Sequence, residues 1–290
     1  MRPNYCITAI CVILFHFSAL AQQKTASPNS LLWQVTGKNL DKPSYIFGTI
    51  HLICRPDFLW TEAMKNSLAK SDKVCFEMDL DDPAMSMQIA TALIDNNGKK
   101  LKDYFTADEY KLLKKYMKDS LGMSIELFEK MKPIALGTIM STSDAACPDQ
   151  TSYEDSIMKL AQEAGKEIIG IETVPEQLAA LESLPIDSVL KEIRETISNK
   201  KSTDTKYIKM LEAYKKQDIA ALYGIITAGD VTVAELAALL EDRNIKWIPR
   251  MKQKMGQGSI FFAVGAGHLW GTNGIIGLLR KEGYTITPLN

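Results

Sequence analysis

The feature that most constrains this chain is a short segment that occurs twice, once near each end. Tyr45-Ile-Phe-Gly-Thr-Ile-His-Leu52 aligns with Phe262-Ala-Val-Gly-Ala-Gly-His-Leu269. Each copy is three apolar residues of strand type, a glycine, two small or apolar residues, a histidine and a leucine. A glycine at a strand end lets the backbone turn sharply, or lets a ligand approach with no Cβ in the way. Strand ends are also where open α/β sheets bind ligands.

The rest of the chain falls into an ordered pattern. Strands are predicted over Leu31–Thr36, Ser44–Ile50, Val74–Leu80, Glu167–Ile171, Ile260–Val264 and Tyr284–Pro288. Three segments pair a threonine with a glutamate three residues on: Thr106–Glu109, Thr151–Glu154 and Thr173–Glu176. Each reads as a capping box that opens a helix. A long helix is predicted from Val233, and one over Asn273–Lys281. Strands gather at the two ends and helices fill the middle, as expected of an α/β layered domain with a central helical insertion.

The N-terminus reads as a signal peptide over residues 1–21. Arg2 precedes the apolar run Cys6–Leu20, and Ala19-Leu20-Ala21 supplies a small-residue cleavage site. The run is shorter than the roughly 20 residues of a spanning helix. Cleavage after Ala21 would leave a single domain, 22–290, periplasmic or secreted, with no membrane span. Loss of Arg2 takes the formal charge from −1 to −2, which argues against nucleic acid as a partner. Cys54, Cys75 and Cys147 remain after cleavage. Cys75 lies in an apolar strand, whereas Cys54 and Cys147 lie in loop-like sequence and form the expected disulfide in an oxidising compartment.

Histidine usage narrows the site. Of three histidines, His16 leaves with the leader, and His51 and His268 each close one copy of the repeat. Imidazole ligates divalent metals or serves as a general base near neutral pH. Two histidines that merely bond to backbone in turns are the bland alternative. A metal on two histidines needs a third protein ligand. Glu77, inside the apolar strand Val74–Leu80, is the best candidate, because an unpaired carboxylate there is costly. Asp79 would share its face in a regular strand, and Glu172 is a further acid at a strand end. Glu176 is assigned to its capping box. Arg243-Asn244 lies in the long helix, ahead of Trp247 and Arg250. Arginine can clamp a carboxylate or an oxyanion, although spacing alone favours a solvated helix face. There is no Gly-x-Ser-x-Gly elbow.

These marks resemble the TraB/PrgY/GumN family, which includes the Tiki metalloproteases. They are the Leu-Leu-Trp start at Leu31, Gly48-Thr-Ile-His51, the strand with Glu77, Gly170-Ile-Glu-Thr173 with Gln177, Arg243-Asn244 and Gly265-Ala-Gly-His268. The resemblance implies a fold similar to erythromycin-esterase-like and ChaN-like proteins, with mixed sheets in which the strand–Gly-x-x-His units are related by a pseudo-twofold axis. It implies a divalent metal (Mn, Co or Zn) on His51, His268 and Glu77, and a site role for Arg243 and Asn244.

Three functions follow as expectations. The first is an exported metal-dependent hydrolase, peptidase-like, acting on a peptide or small molecule. The second is a metal-independent, esterase-like hydrolase with His51 as base and Glu77 orienting it. The third is a protein that sequesters a peptide or small ligand without turnover.

Overall fold

A computed structural model describes residues 29–142, 147, 149–198, 200–228 and 232–290. The signal-peptide expectation falls on residues outside that set. Six strands form one mixed sheet: β1 (Leu32–Thr36), β2 (Ser44–Thr49), β4 (Lys73–Phe76), β6 (Glu167–Gly170), β7 (Ile260–Gly265) and β8 (Thr285–Leu289). Two short strands, β3 (Ile53–Cys54) and β5 (Gln150–Thr151), pair as a separate ribbon. In chain order the helices are α1 (Glu62–Lys70), α2 (Met85–Ala92), α3 (Ala107–Leu121), α4 (Pro133–Thr142), α5 (Tyr153–Glu163), α6 (Val174–Glu182), α7 (Ile186–Ser198), α8 (Lys200–Lys215), α9 (Ile219–Thr227), α10 (Val233–Leu236), α11 (Asp242–Met255) and α12 (Ile275–Lys281).

The strand order is β6-β4-β7-β2-β1-β8. β6, β4, β7 and β2 run parallel to one another; at one side β1 is added antiparallel to β2, and β8 antiparallel to β1. The central strands β2 and β7 are apolar and buried on both faces, as parallel strands covered by helices require. Phe47, Phe261 and Phe262 are fully buried among them, each contributing about 1.5–3 kcal/mol of hydrophobic stabilisation. A second apolar cluster, with Leu113, Met117, Leu136, Val189 and Ile193, joins α3, α4 and α7. The central helices thus have a core of their own.

The two copies of the repeat are neighbours in this one sheet. Gly48 lies opposite Val264, and Thr49 opposite Gly265. Neither repeat glycine has a positive φ. Both are instead needed for close approach. A Cβ on Gly48 would meet Leu269 Cδ1 at 2.6 Å and Ala266 Cα at 3.1 Å, so the first copy is packed directly onto the second. A Cβ on Gly265 would meet Glu77 Oε1 at 3.3 Å.

Three local expectations are corrected. The strand expected over Val74–Leu80 stops at Phe76, and Glu77 and Met78 form a bend. Asp79 therefore shares no strand face with Glu77. The second capping box is displaced by one residue: Ser152 is the cap and accepts from Asp155 N–H, which frees Glu154 from a capping role. The long helix from Val233 is interrupted by a wider, π-helical turn over Ala237–Glu241, in which Asp242 N–H reaches back to Ala237 C=O. Such turns occur often at functional sites, and this one ends just before Arg243.

Candidate active site

Because β2, β4, β6 and β7 are parallel, their carboxyl ends lie along one edge of the sheet. Each leads within three residues to a candidate: His51 after β2, Glu77 after β4, Glu172 after β6 and His268 after β7. Arg243 and Asn244 reach the same edge from α11. They are buried, so the solvated helix face favoured by spacing alone is not what forms.

Glu77 is held from three sides. Its Oε1 accepts from Gly265 N–H at 2.8 Å, and its Oε2 accepts from Arg243 Nη2 at 2.6 Å and Gln177 Nε2 at 3.4 Å. Its backbone carbonyl accepts from Glu172 N–H at 2.9 Å, which ties the end of β4 to that of β6. Burial by itself would raise the Glu77 pKa. His268 when charged, the Arg243 guanidinium and the Gly265 N–H outweigh it and bring the carboxyl down to about 2. At neutral pH His268 is uncharged, so Arg243 is the buried cation that matters there.

Arg243 has no N–H to spare. Nε donates to Glu172, Nη2 to Glu172 and Glu77, and Nη1 to Leu239 C=O at 3.0 Å, with its other hydrogen toward His268 Nε2 at 3.2 Å. Glu172, 3% exposed, also accepts from Trp247 Nε1 at 2.8 Å, and the guanidinium lies 4.8 Å from the Trp247 ring centroid. Asn244 is equally committed, donating through Nδ2 to His268 C=O and Asn273 C=O. Arg243 therefore holds both Glu77 and His268, Asn244 holds His268, and neither offers a free donor to an oxyanion.

The tautomer of His268 follows from its partners. Arg243 can only donate, so Nε2 carries the lone pair and Nδ1 carries the proton, given to Asn244 Oδ1 at 2.7 Å. Burial is the main cause that lowers the His268 pKa to about 4; Glu77 pulls it up and Arg243 pushes it down. His51 is the opposite case. Its side chain is 65% exposed, and Nδ1 lies 3.4 Å from Glu154 Oε1. Glu154 chiefly, with a further contribution from the charge of Glu77, raises the His51 pKa to about 9.

His51, His268 and Glu77 do not meet as a three-ligand metal group. Glu77 is turned onto Arg243, His268 Nε2 faces the same guanidinium, and His51 is turned onto Glu154. A cation between Glu77 and His268, whose Oε1 and Nε2 are 3.7 Å apart, would have to share that space with a guanidinium. Among the described residues no three His, Cys, Asp or Glu side chains are set to hold a metal ion. The residues as arranged do not fit the metal.

Asp79 stays outside the centre. Burial first, then neighbouring Asp81 and Asp82, raises its pKa to about 6. Glu176 caps α6 and pairs with Arg250. Glu154 was not among the candidates: its spacing from Thr151 mimics a capping box, and only the alternative cap at Ser152 signals that its carboxylate is free for other work.

A model of the TraB/PrgY/gumN family matches residues 31–288. The chain belongs to the TraB/PrgY/gumN family. Among the curated proteins this family member is similar to Metalloprotease TIKI2 of Danio rerio, 24% identical over 316 residues, covering 89% of this chain and 60% of that protein. Metalloprotease TIKI1 of Xenopus tropicalis is 24% identical over 91% of this chain and 62% of its own length. Metalloprotease TIKI1 of Homo sapiens is 24% identical over 89% and 61%. The family member thus spans about three-fifths of the relatives it matches. No solved structure matches it.

Proposed function

We propose that this chain is an exported hydrolase of peptide-like substrates, in which His51 moves the proton above a buried Glu77–Arg243–His268 centre. The observation that carries this is the contrast between the two histidines. His51 is open to solvent, whereas His268 is enclosed and neutral beside a carboxylate–guanidinium pair. An accessible imidazole with a carboxylate at Nδ1 presents Nε2 to a substrate: below about pH 9 it carries a proton to give to a leaving amine or alcohol, and in its neutral form, whose share grows toward pH 9, it takes one from water. Glu77 keeps its charge at working pH and steadies the His51 imidazolium, which is the resting form below about pH 9. Arg243 and Asn244 hold Glu77 and His268 in place.

The curated relatives' names supply the hydrolase class. Their metal does not carry over to the residues found here, because Arg243 already occupies Glu77 and faces His268. The apolar leader and the Cys54–Cys147 disulfide support export, since disulfides persist in oxidising compartments. No helix among the described residues is long and apolar enough to cross a membrane. The parallel pairing of β2 with β7 supports the two Gly-x-x-His elements as a duplicated unit.

The test is turnover of a panel of short peptides and esters by the chain from Gln22, with and without EDTA. Turnover that persists in EDTA and is lost in His51→Ala is expected. Turnover abolished by EDTA and restored by Mn or Co would replace this reading with the metal-dependent one. Stoichiometric protection of ligand without turnover would replace it with sequestration.

A further inference from the structure

We infer that Glu154 is the positioning carboxylate for His51, holding its ring in the Nδ1–H tautomer so that Nε2 is the free nitrogen; this rests on the hydrolase reading above. The carboxylate is fixed before it meets the ring. Glu154 Oε1 accepts from Thr49 Oγ1 at 2.7 Å, and Oε2 accepts from Ser152 Oγ at 3.1 Å. Thr49 is itself buried at the end of β2. His51 Nδ1 then lies 3.4 Å from Oε1, the oxygen that Thr49 holds.

A glutamate in the first turn of a helix has an ordinary use, which is to answer the helix dipole and free N–H groups. That use is already served in α5 by Ser152, whose hydroxyl accepts from Asp155 N–H at 3.1 Å. Glu154 turns away from its own helix toward the strand that carries the first repeat.

The chain also clamps these two segments together on the far side of His51. β3 follows His51 and pairs with β5, with Ile53 opposite Thr151 and Cys54 opposite Gln150. The Cys54–Cys147 disulfide, with a Cα–Cα distance of 6.0 Å, and the Arg55 N–H to Asp149 C=O bond of 2.9 Å close the same junction. The loop bearing His51 is thereby tied to the segment that leads into α5, with Thr151 three residues ahead of Glu154. In both histidines Nδ1 faces an oxygen, at 2.7 Å for His268 and 3.4 Å for His51. The oxygen is a neutral amide for buried His268 and a carboxylate for exposed His51. A carboxylate there fixes the tautomer and stabilises the imidazolium formed during proton transfer.

The experiment uses Glu154→Gln and Thr49→Val in the chain from Gln22. Its two histidines make long-range 1H–15N spectra of the rings simple to assign, with His51→Ala as the assignment control. In the parent the His51 proton resides on Nδ1 at pH values where the ring is neutral. In Glu154→Gln it moves toward the commoner Nε2–H form, while the His268 signals stay in place. Thr49→Val shifts His51 in the same direction by less. With any substrate the parent turns over, kcat falls at least about tenfold in Glu154→Gln, KM stays within about twofold, and Glu154→Asp recovers part of kcat. A His51 spectrum identical in parent and Glu154→Gln overturns the proposal whatever the activity. So does a shifted spectrum with unchanged kcat. A parent that turns over nothing removes the hydrolase reading, and the ring spectra alone then decide where Glu154 acts.

Discussion

Arg243 Nη2 lies 2.6 Å from Glu77 Oε2, with both side chains almost wholly enclosed. The guanidinium also neutralises Glu172 on its other edge. Two buried carboxylates therefore depend on one cation. Removing one partner of a buried pair leaves an uncompensated charge and costs about 3–5 kcal/mol. Arg243→Ala should lower stability by at least that much in urea unfolding. Arg243→Lys should recover little, because an ammonium cannot span both carboxylates as the planar fork does. A lysine variant as stable as the parent would remove Arg243 from this role.

The two histidines should titrate on opposite sides of the ordinary value of 6.5, His268 near 4 and His51 near 9. Ring NMR from pH 3 to 10 reads both directly.

The same shifts set the pH profile of stability. His268 is depressed, so between 6.5 and 4 the unfolded chain binds a proton that the folded chain does not, and stability falls as pH falls. Glu77 extends that limb from 4.5 down to about 2. His51 has the reverse sign: its contribution is complete below 6.5 and is lost as pH rises through about 9. Tm should peak near pH 6.5 and decline on both sides. A Tm that climbs steadily to pH 9 would contradict the pairing of His51 with Glu154.

The repeat glycines should fail in different ways. Gly48→Ala forces a Cβ against Leu269 and the Ala266 backbone, an overpacking cost of about 1–3 kcal/mol. Gly265→Ala presses only on Glu77 Oε1. It should leave Tm closer to the parent's while lowering turnover, because the carboxylate must move. Equal losses of stability in the two variants would deny the distinction.

Reduction of the Cys54–Cys147 disulfide, whose cysteines are 93 residues apart, should cost about 2–4 kcal/mol. Differential scanning calorimetry with and without a phosphine reductant measures it. Cys75 is buried in the core and should resist labelling until the chain unfolds.

The sheet was legible in the sequence because its central strands are continuous apolar runs, and the histidines were legible because the repeat isolates them. What could not be read was direction. Glu77 looked like a strand residue because the run Val74–Leu80 gives no sign of the bend that follows Phe76. Arg243 looked solvated because α11 is rich in charge, and the wider turn over Ala237–Glu241 that precedes it has no composition mark. Glu154 was hidden by a threonine three residues ahead of it. In each case partners distant in sequence decided the outcome. Glu172, by contrast, was marked as a strand-end acid, and its place under Arg243 explains why it lies there.

The interleaving of β7, β2, β1 and β8 has a consequence for biosynthesis. β1 and β2 pair with each other, but their outer neighbours are β8 and β7, more than two hundred residues later in the chain. Such long-range pairing is slow and comes late. As the polypeptide is made from its amino end, the strand ahead of His51 has β1 beside it but lacks its parallel partner until Ile260–Gly265 has emerged. A chain that stops before β7 lacks Gly265 and His268 and so cannot assemble the centre.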